Sequence, residues 1–113
     1  MLQAINQVNF KGSELVLSRS FKKGKSKLNL NISAVNKFNS NVCQVSAWVS
    51  DGKHLADGVT YSVAKRSAPD YAEDVYDAMR KVGALLSRYK DEIPDKDDIM
   101  RSLSRFFGEF WAK

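Results

Sequence analysis

Apolar and polar residues alternate along the first half of the chain. Leu28, Leu30, Ile32 and Ala34 stand between Asn29, Asn31 and Ser33, the clearest period-two run. Leu15, Leu17 and Phe21 alternate with Val16, Ser18 and Ser20. Cys43, Val45, Ala47 and Val49 alternate with Gln44, Ser46 and Trp48, and Val59, Tyr61 and Val63 with Thr60 and Ser62. An earlier strand is expected over residues 3–10, where Ala4, Val8 and Phe10 share a face interrupted by Asn6. Turn chemistry separates these runs: Lys11-Gly12-Ser13, Lys23-Gly24-Lys25-Ser26, Asn36 through Asn41, Asp51-Gly52 and Asp57-Gly58. Glycine, Asn and Asp tolerate the positive φ that reversals need. Connections this short cannot hold crossover helices, so the pattern predicts an antiparallel meander. One apolar and one polar face predict a sheet covered on one side only.

The period changes near Ser67. Ser67 is a suitable N-cap, with Pro69 in the first turn and Asp70 three residues on. Ala68, Ala72, Val75, Met79, Val82, Leu86 and Tyr89 then recur at spacings of four and three, widened by Tyr71, Ala78 and Leu85. The spacing predicts a helix over residues 68–90, about 34 Å long and able to cross four or five strands. Acids lead it and bases follow, as the helix dipole favours. Beyond Pro94 a second helix starts near Asp95–Asp98, carrying Ile99, Met100, Leu103, Phe106, Phe107, Phe110 and Trp111. Gly108 weakens it by about 1 kcal/mol relative to alanine, so it depends on packing. Its aromatic load has two readings: it completes the monomer core, or Phe106, Phe107, Phe110 and Trp111 form a homodimer contact. The fold class is therefore α+β. An antiparallel sheet of four to five strands (residues 1–66) precedes two C-terminal helices, the first packed across one sheet face.

Length adds that the 113 residues form a single domain. No apolar run approaches the ~18 residues of a membrane span. The first residues, from Met1 to Asn6, lack a basic region followed by an apolar one, so no signal peptide is read there. A lone cysteine, Cys43, has no internal disulfide partner, and a cytoplasmic address follows as the default. Catalytic groupings are not found. His54 is the sole histidine, no phosphate-binding glycine loop occurs, and zinc would need more Cys or His. Cys43 points inward with Val45 and Ala47 and reads as a structural thiol. Asp95, Asp97 and Asp98 read as helix-start acids before they read as Mg²⁺ ligands. Neither enzymatic activity nor a cofactor is expected.

Charge changes the picture more. Residues 1–66 hold ten Lys/Arg against three Asp/Glu; residues 67–113 hold eight against ten. A basic β layer and a mildly acidic helical layer point to a polyanionic partner, or simply to a solvated face. Lys22, Lys23, Lys25 and Lys27 crowd one hairpin connection, suited to phosphate contact and also to blocking edge pairing. Trp48 alternates onto the polar side of its strand, among the amides and hydroxyls of its neighbours, with Arg19 expected nearby. A stacking platform with hydrogen-bonding groups in a positive field is the chemistry of single-strand binding. The candidate nucleic-acid contacts are thus Arg19, Lys22, Lys23, Lys25, Lys27 and Trp48. Several antiparallel strands followed by a helix resemble the general plan of sheet-based single-stranded-DNA binders of the Whirly kind. The resemblance is one of element order, shares no motif and carries over no residue. The expected function is binding of single-stranded DNA or RNA with little sequence specificity. The alternative is a phage or mobile-element protein that inhibits a host enzyme or complex through protein contacts.

Overall fold

A computed structural model describes residues 7–10, 14–36 and 40–112. Five strands appear in chain order: β1 (Gln7–Phe10), β2 (Glu14–Lys23), β3 (Ser26–Val35), β4 (Val42–Ser50) and β5 (Leu55–Ala64). Two helices follow, α1 (Ala68–Ser87) and α2 (Lys96–Ala112). The sheet order is β1-β2-β3-β4-β5, every pair antiparallel, which is the expected meander. The expectations for residues 3–6 and for the Lys11-Gly12-Ser13 turn lie outside the described residues, as does the middle of the Asn36–Asn41 turn.

Alternation decides the faces. Leu15, Leu17, Phe21, Leu28, Leu30, Ile32, Ala34, Cys43, Val45, Ala47 and Val49 are buried beneath the helices. Their neighbours along each strand form the opposite face, which no described helix covers. In β2 and β3 the register sets Leu17 opposite Ile32 on the inner side and Ser18 opposite Asn31 on the outer.

Two expectations about β5 and α1 are corrected. Asp57-Gly58 is not a turn; both residues belong to β5, with Gly58 opposite Trp48. The reversal happens earlier. The Asp51 carboxylate accepts the backbone N–H groups of Lys53 (2.9 Å) and His54 (2.7 Å), and Gly52 takes φ +95°. A loop closed that tightly lets pairing resume at Leu55. Helix α1 packs on the inner face of the sheet, as expected, with its contacts gathered on β5. Asp74 accepts from the backbone N–H of Ala64 (3.3 Å), Asp77 from the Tyr61 hydroxyl (3.3 Å), and Arg88, just past the helix, donates to Asp57 (2.6 Å). These partners run backwards along β5, so the helix lies lengthwise beneath that strand and touches β4 besides. Its buried stripe is Tyr71, Ala78, Val82, Leu85 and Leu86. Ala68 and Ala72 are exposed, and Val75 and Met79 are only half-buried. The helix ends at Ser87, not at residue 90, where the Arg88 N–H turns to the carbonyl of Leu85. The expected Ser67 cap is present: its side chain accepts from the Asp70 N–H.

Helix α2 fills the space α1 leaves. It packs on α1 and reaches β2. Phe106, Phe107 and Phe110 are buried inside the monomer, Phe106 and Phe110 stacked at 6.2 Å between ring centroids. The homodimer expectation for these three is thereby corrected: the second helix supplies the core that one helix running along β5 cannot. Trp111 remains 42% exposed, tilted over Tyr71 at 4.9 Å. Among the described residues no helix is long and apolar enough to cross a membrane.

Candidate nucleic-acid interface

The open sheet face is built in cross-strand rows. One row reads Ser18, Asn31, Trp48, Gly58 from β2 to β5. The next, towards the β2–β3 turn, reads Ser20, Asn29, Ser50, Leu55. The last is Lys22 directly opposite Lys27. On the other side of the Trp48 row lie Val16, Ser33, Ser46 and Thr60. Trp48 thus sits on β4, next to the edge strand β5, on a face that no described helix covers, and is 36% exposed.

Each neighbour of Trp48 has its own chemistry. Gly58 places no side chain beside the indole; with Leu55 and Thr60 it leaves an open notch against the ring. Asn31 on the other side is held by Ser18, whose hydroxyl donates to Asn31 Oδ1 at 3.1 Å. One row along, the Ser20 hydroxyl donates to Asn29 Oδ1 at 2.8 Å. Ser18, Ser20, Asn29, Asn31 and Ser50 line a shallow polar basin of about 210 Å³.

The six predicted contacts divide. Lys22 and Lys27 alternate outward with the basin residues and, among the described residues, form no ion pair. Lys25 lies at the tip of the two-residue turn behind Gly24, whose φ is +63°. Lys23 belongs to the other side: its ammonium bonds Glu92 at 3.0 Å and rides 5.2 Å over the Tyr89 ring.

Arg19 does not belong with this set. It shares the parity of Leu17 and Phe21, is 5% exposed, and pairs with Asp95 at the start of α2. Burial pulls its guanidinium below the ordinary value, against the attraction of Asp98. The alternation that puts Leu17 inward puts Arg19 inward too.

The basic character of the first half therefore has two uses. Arg19, Lys23 and Arg66 bind acids of the helical layer (Asp95, Glu92 and Asp74), and Lys65 bonds the carbonyl of Phe110 at 3.0 Å. Lys22, Lys25 and Lys27 remain on or around the open face. Lys53 joins them, because a meander brings its second and fourth turns to the same end of the sheet. That residue and the Gly58 notch were missed in the sequence. The turn-parity argument locates Lys53; the notch was hidden by reading Asp57-Gly58 as a reversal. Asp51 opposes Lys53 in the same loop, its carboxylate held below the usual range by the backbone N–H groups of His54 and Lys53.

Two further titratable groups, Cys43 and Tyr71, belong to the core. Burial pushes the Cys43 thiol up to about 12, so it is protonated and unreactive at neutral pH. Tyr71, also raised by burial, donates its hydroxyl to the Phe107 carbonyl at 2.5 Å. Of the acids considered for Mg²⁺, Asp95 is turned to Arg19 and Asp98 to Arg101 (3.0 Å).

The chain matches no family model, no curated protein and no solved structure.

Proposed function

We propose that the open sheet face binds single-stranded nucleic acid with little dependence on base order. The observation that carries this reading is Trp48: a tryptophan 36% exposed on the open face, on the strand next to the β5 edge, beside a glycine notch and a polar basin, with Lys22 and Lys27 one row beyond the basin. Every base offers a π face, so stacking on Trp48 tolerates sequence. The lysines, about 13 Å from the Trp48 row at four residues along β3, neutralise phosphates without fixed geometry.

The test is intrinsic tryptophan fluorescence during titration with an unstructured oligonucleotide. Trp111 contributes signal, so Trp48→Phe is titrated in parallel. Wild type is expected to be quenched and the variant not. Trp48→Ala weakens binding about 5- to 150-fold, the equivalent of ~1–3 kcal/mol of stacking, with an unchanged salt slope. Absence of both quenching and salt-dependent binding at micromolar protein removes the reading.

A further inference from the structure

The charges fix which way a bound strand leaves Trp48. On one side of the Trp48 row come Ser20, Asn29 and Ser50, and then Lys22 and Lys27. On the other side the next two rows, Val16 to Thr60 and Glu14 to Ser62, hold one acid and no cation from β2 to β5. A base stacked on Trp48 therefore sends its sugar-phosphate backbone towards the lysines. Rows two residues apart along a strand are separated by about 7 Å. The first row beyond the base meets the sugar, and the second meets the phosphate. The sugar thus lies over the polar basin, whose floor is Ser18, Ser20, Asn29, Asn31 and Ser50.

The chemistry of the basin suits a hydroxyl. Ser18 bonds Asn31 and Ser20 bonds Asn29. Serine hydroxyls and asparagine amides both donate and accept, so each pair can exchange roles. The basin therefore presents no fixed order of donors and acceptors by which to read a base edge. A 2′-hydroxyl also donates and accepts, and it finds a partner whichever way the amides turn. A deoxyribose places a methylene there, which covers the polar groups without bonding them. We infer that the open face selects ribose over deoxyribose, so that its ligand is single-stranded RNA. This rests on the single-strand reading above and narrows it from nucleic acid in general to one sugar.

The experiment is fluorescence anisotropy with equal-length oligo-rU, oligo-dU and 2′-fluoro oligo-U at one salt concentration. The three share base and charge, so stacking and phosphate contacts are held constant. The 2′-fluoro strand keeps the sugar conformation of RNA but has no hydroxyl. Wild type is expected to bind rU about three- to tenfold more tightly than either of the others. In Asn29→Ala/Ser50→Ala the preference should fall to within about twofold, while the salt slope and the Trp48 quenching on dU persist. A thermal melt of the variant checks that the sheet is intact, and Ser50→Ala alone gives an intermediate preference if the double variant melts early. Equal binding of rU and dU by wild type with a normal salt slope overturns the inference and leaves the single-strand reading standing. So does a 2′-fluoro strand that binds as tightly as rU, because sugar conformation then accounts for the preference, and so does a preference that both variants retain in full. Absence of binding to all three oligonucleotides overturns both.

Discussion

Lys22 and Lys27 face each other across the β2–β3 pair with no acid between them. Directly opposed side chains on adjacent strands stand about 5 Å apart at Cβ, and like charges there repel. Replacing both by alanine removes that repulsion, so Lys22→Ala/Lys27→Ala should melt higher than wild type. A gain of a few tenths of a kcal/mol corresponds to about 1–3 °C for a domain of this size. Binding should move the other way. Each phosphate neutralised on a single strand contributes about 0.7 to the slope of log affinity against log salt, so two lost contacts flatten the slope by about 1.4. Between about 50 and 200 mM salt, wild-type affinity should then fall roughly sevenfold more than the variant's. The assays are a thermal melt and oligonucleotide titrations at the two salt concentrations. Lys23→Ala is the internal control. It loses the Glu92 ion pair and the Tyr89 contact, so it should melt lower with an unchanged slope. Identical slopes for wild type and the double variant would refute phosphate contact by this pair. A lowered melting point would show that the two lysines support the hairpin instead of straining it.

Arg19→Met should leave oligonucleotide affinity unchanged and cost little stability, because an apolar replacement of similar length suits the buried position. Asp95→Ala should cost roughly 3–5 kcal/mol in urea melts by stranding the guanidinium; comparable losses for both would contradict the assignment. The native Cys43 thiol keeps its proton up to about 12, whereas an unfolded thiol loses it near pH 8.5–9. Above that the native state holds the extra proton, so stability falls as pH rises from about 9 towards 12. Cys43→Ala should flatten that fall in urea melts at pH 8 and 10.5, leaving the later part due to Tyr71 and Tyr61, both raised chiefly by burial. Val82, 2% exposed, should not accept aspartate: Val82→Asp costs several kcal/mol against a total of about 5–15, and a soluble variant with a cooperative melt would place the wrong helix face inward. A Cβ at Gly58 would sit 3.5 Å from Trp48 Cβ and 3.6 Å from the Leu55 methyls, so Gly58→Val should fold, fill the notch and abolish Trp48 quenching; full quenching would exclude the notch from the site.

Strand parity was legible because one sheet face is dry. Leu28, Leu30 and Ile32 could face only one way, and Asn29, Asn31 and Trp48 then faced the other. Arg19 follows the same rule and faces inward with Leu17; Asp95, 76 residues away, makes its burial tolerable, and nothing local announces that partner. The hand of α1 on the sheet was not legible for a related reason. A helix stripe says which side is buried but not whether the helix runs along a strand or across several. That was decided by Asp74, Asp77 and Arg88 meeting β5. The placement of Phe106, Phe107 and Phe110 followed from it, because the uncovered part of the inner face needed a second helix.

The meander order also has a consequence for how the molecule assembles. Each strand pairs with the one made just before it, so the whole sheet is closed by short-range contacts, the kind that form fastest. Helix α2, made after the sheet, closes a long loop, from Asp95 back to Arg19, and covers the underside of β2. During synthesis the sheet is therefore available before its second lid exists. A chain lacking residues 96–112 would keep every strand pairing but display the apolar underside where Phe106, Phe107 and Phe110 belong. Chains stalled or clipped before α2 should associate through that surface, the route by which a half-covered sheet becomes an aggregate.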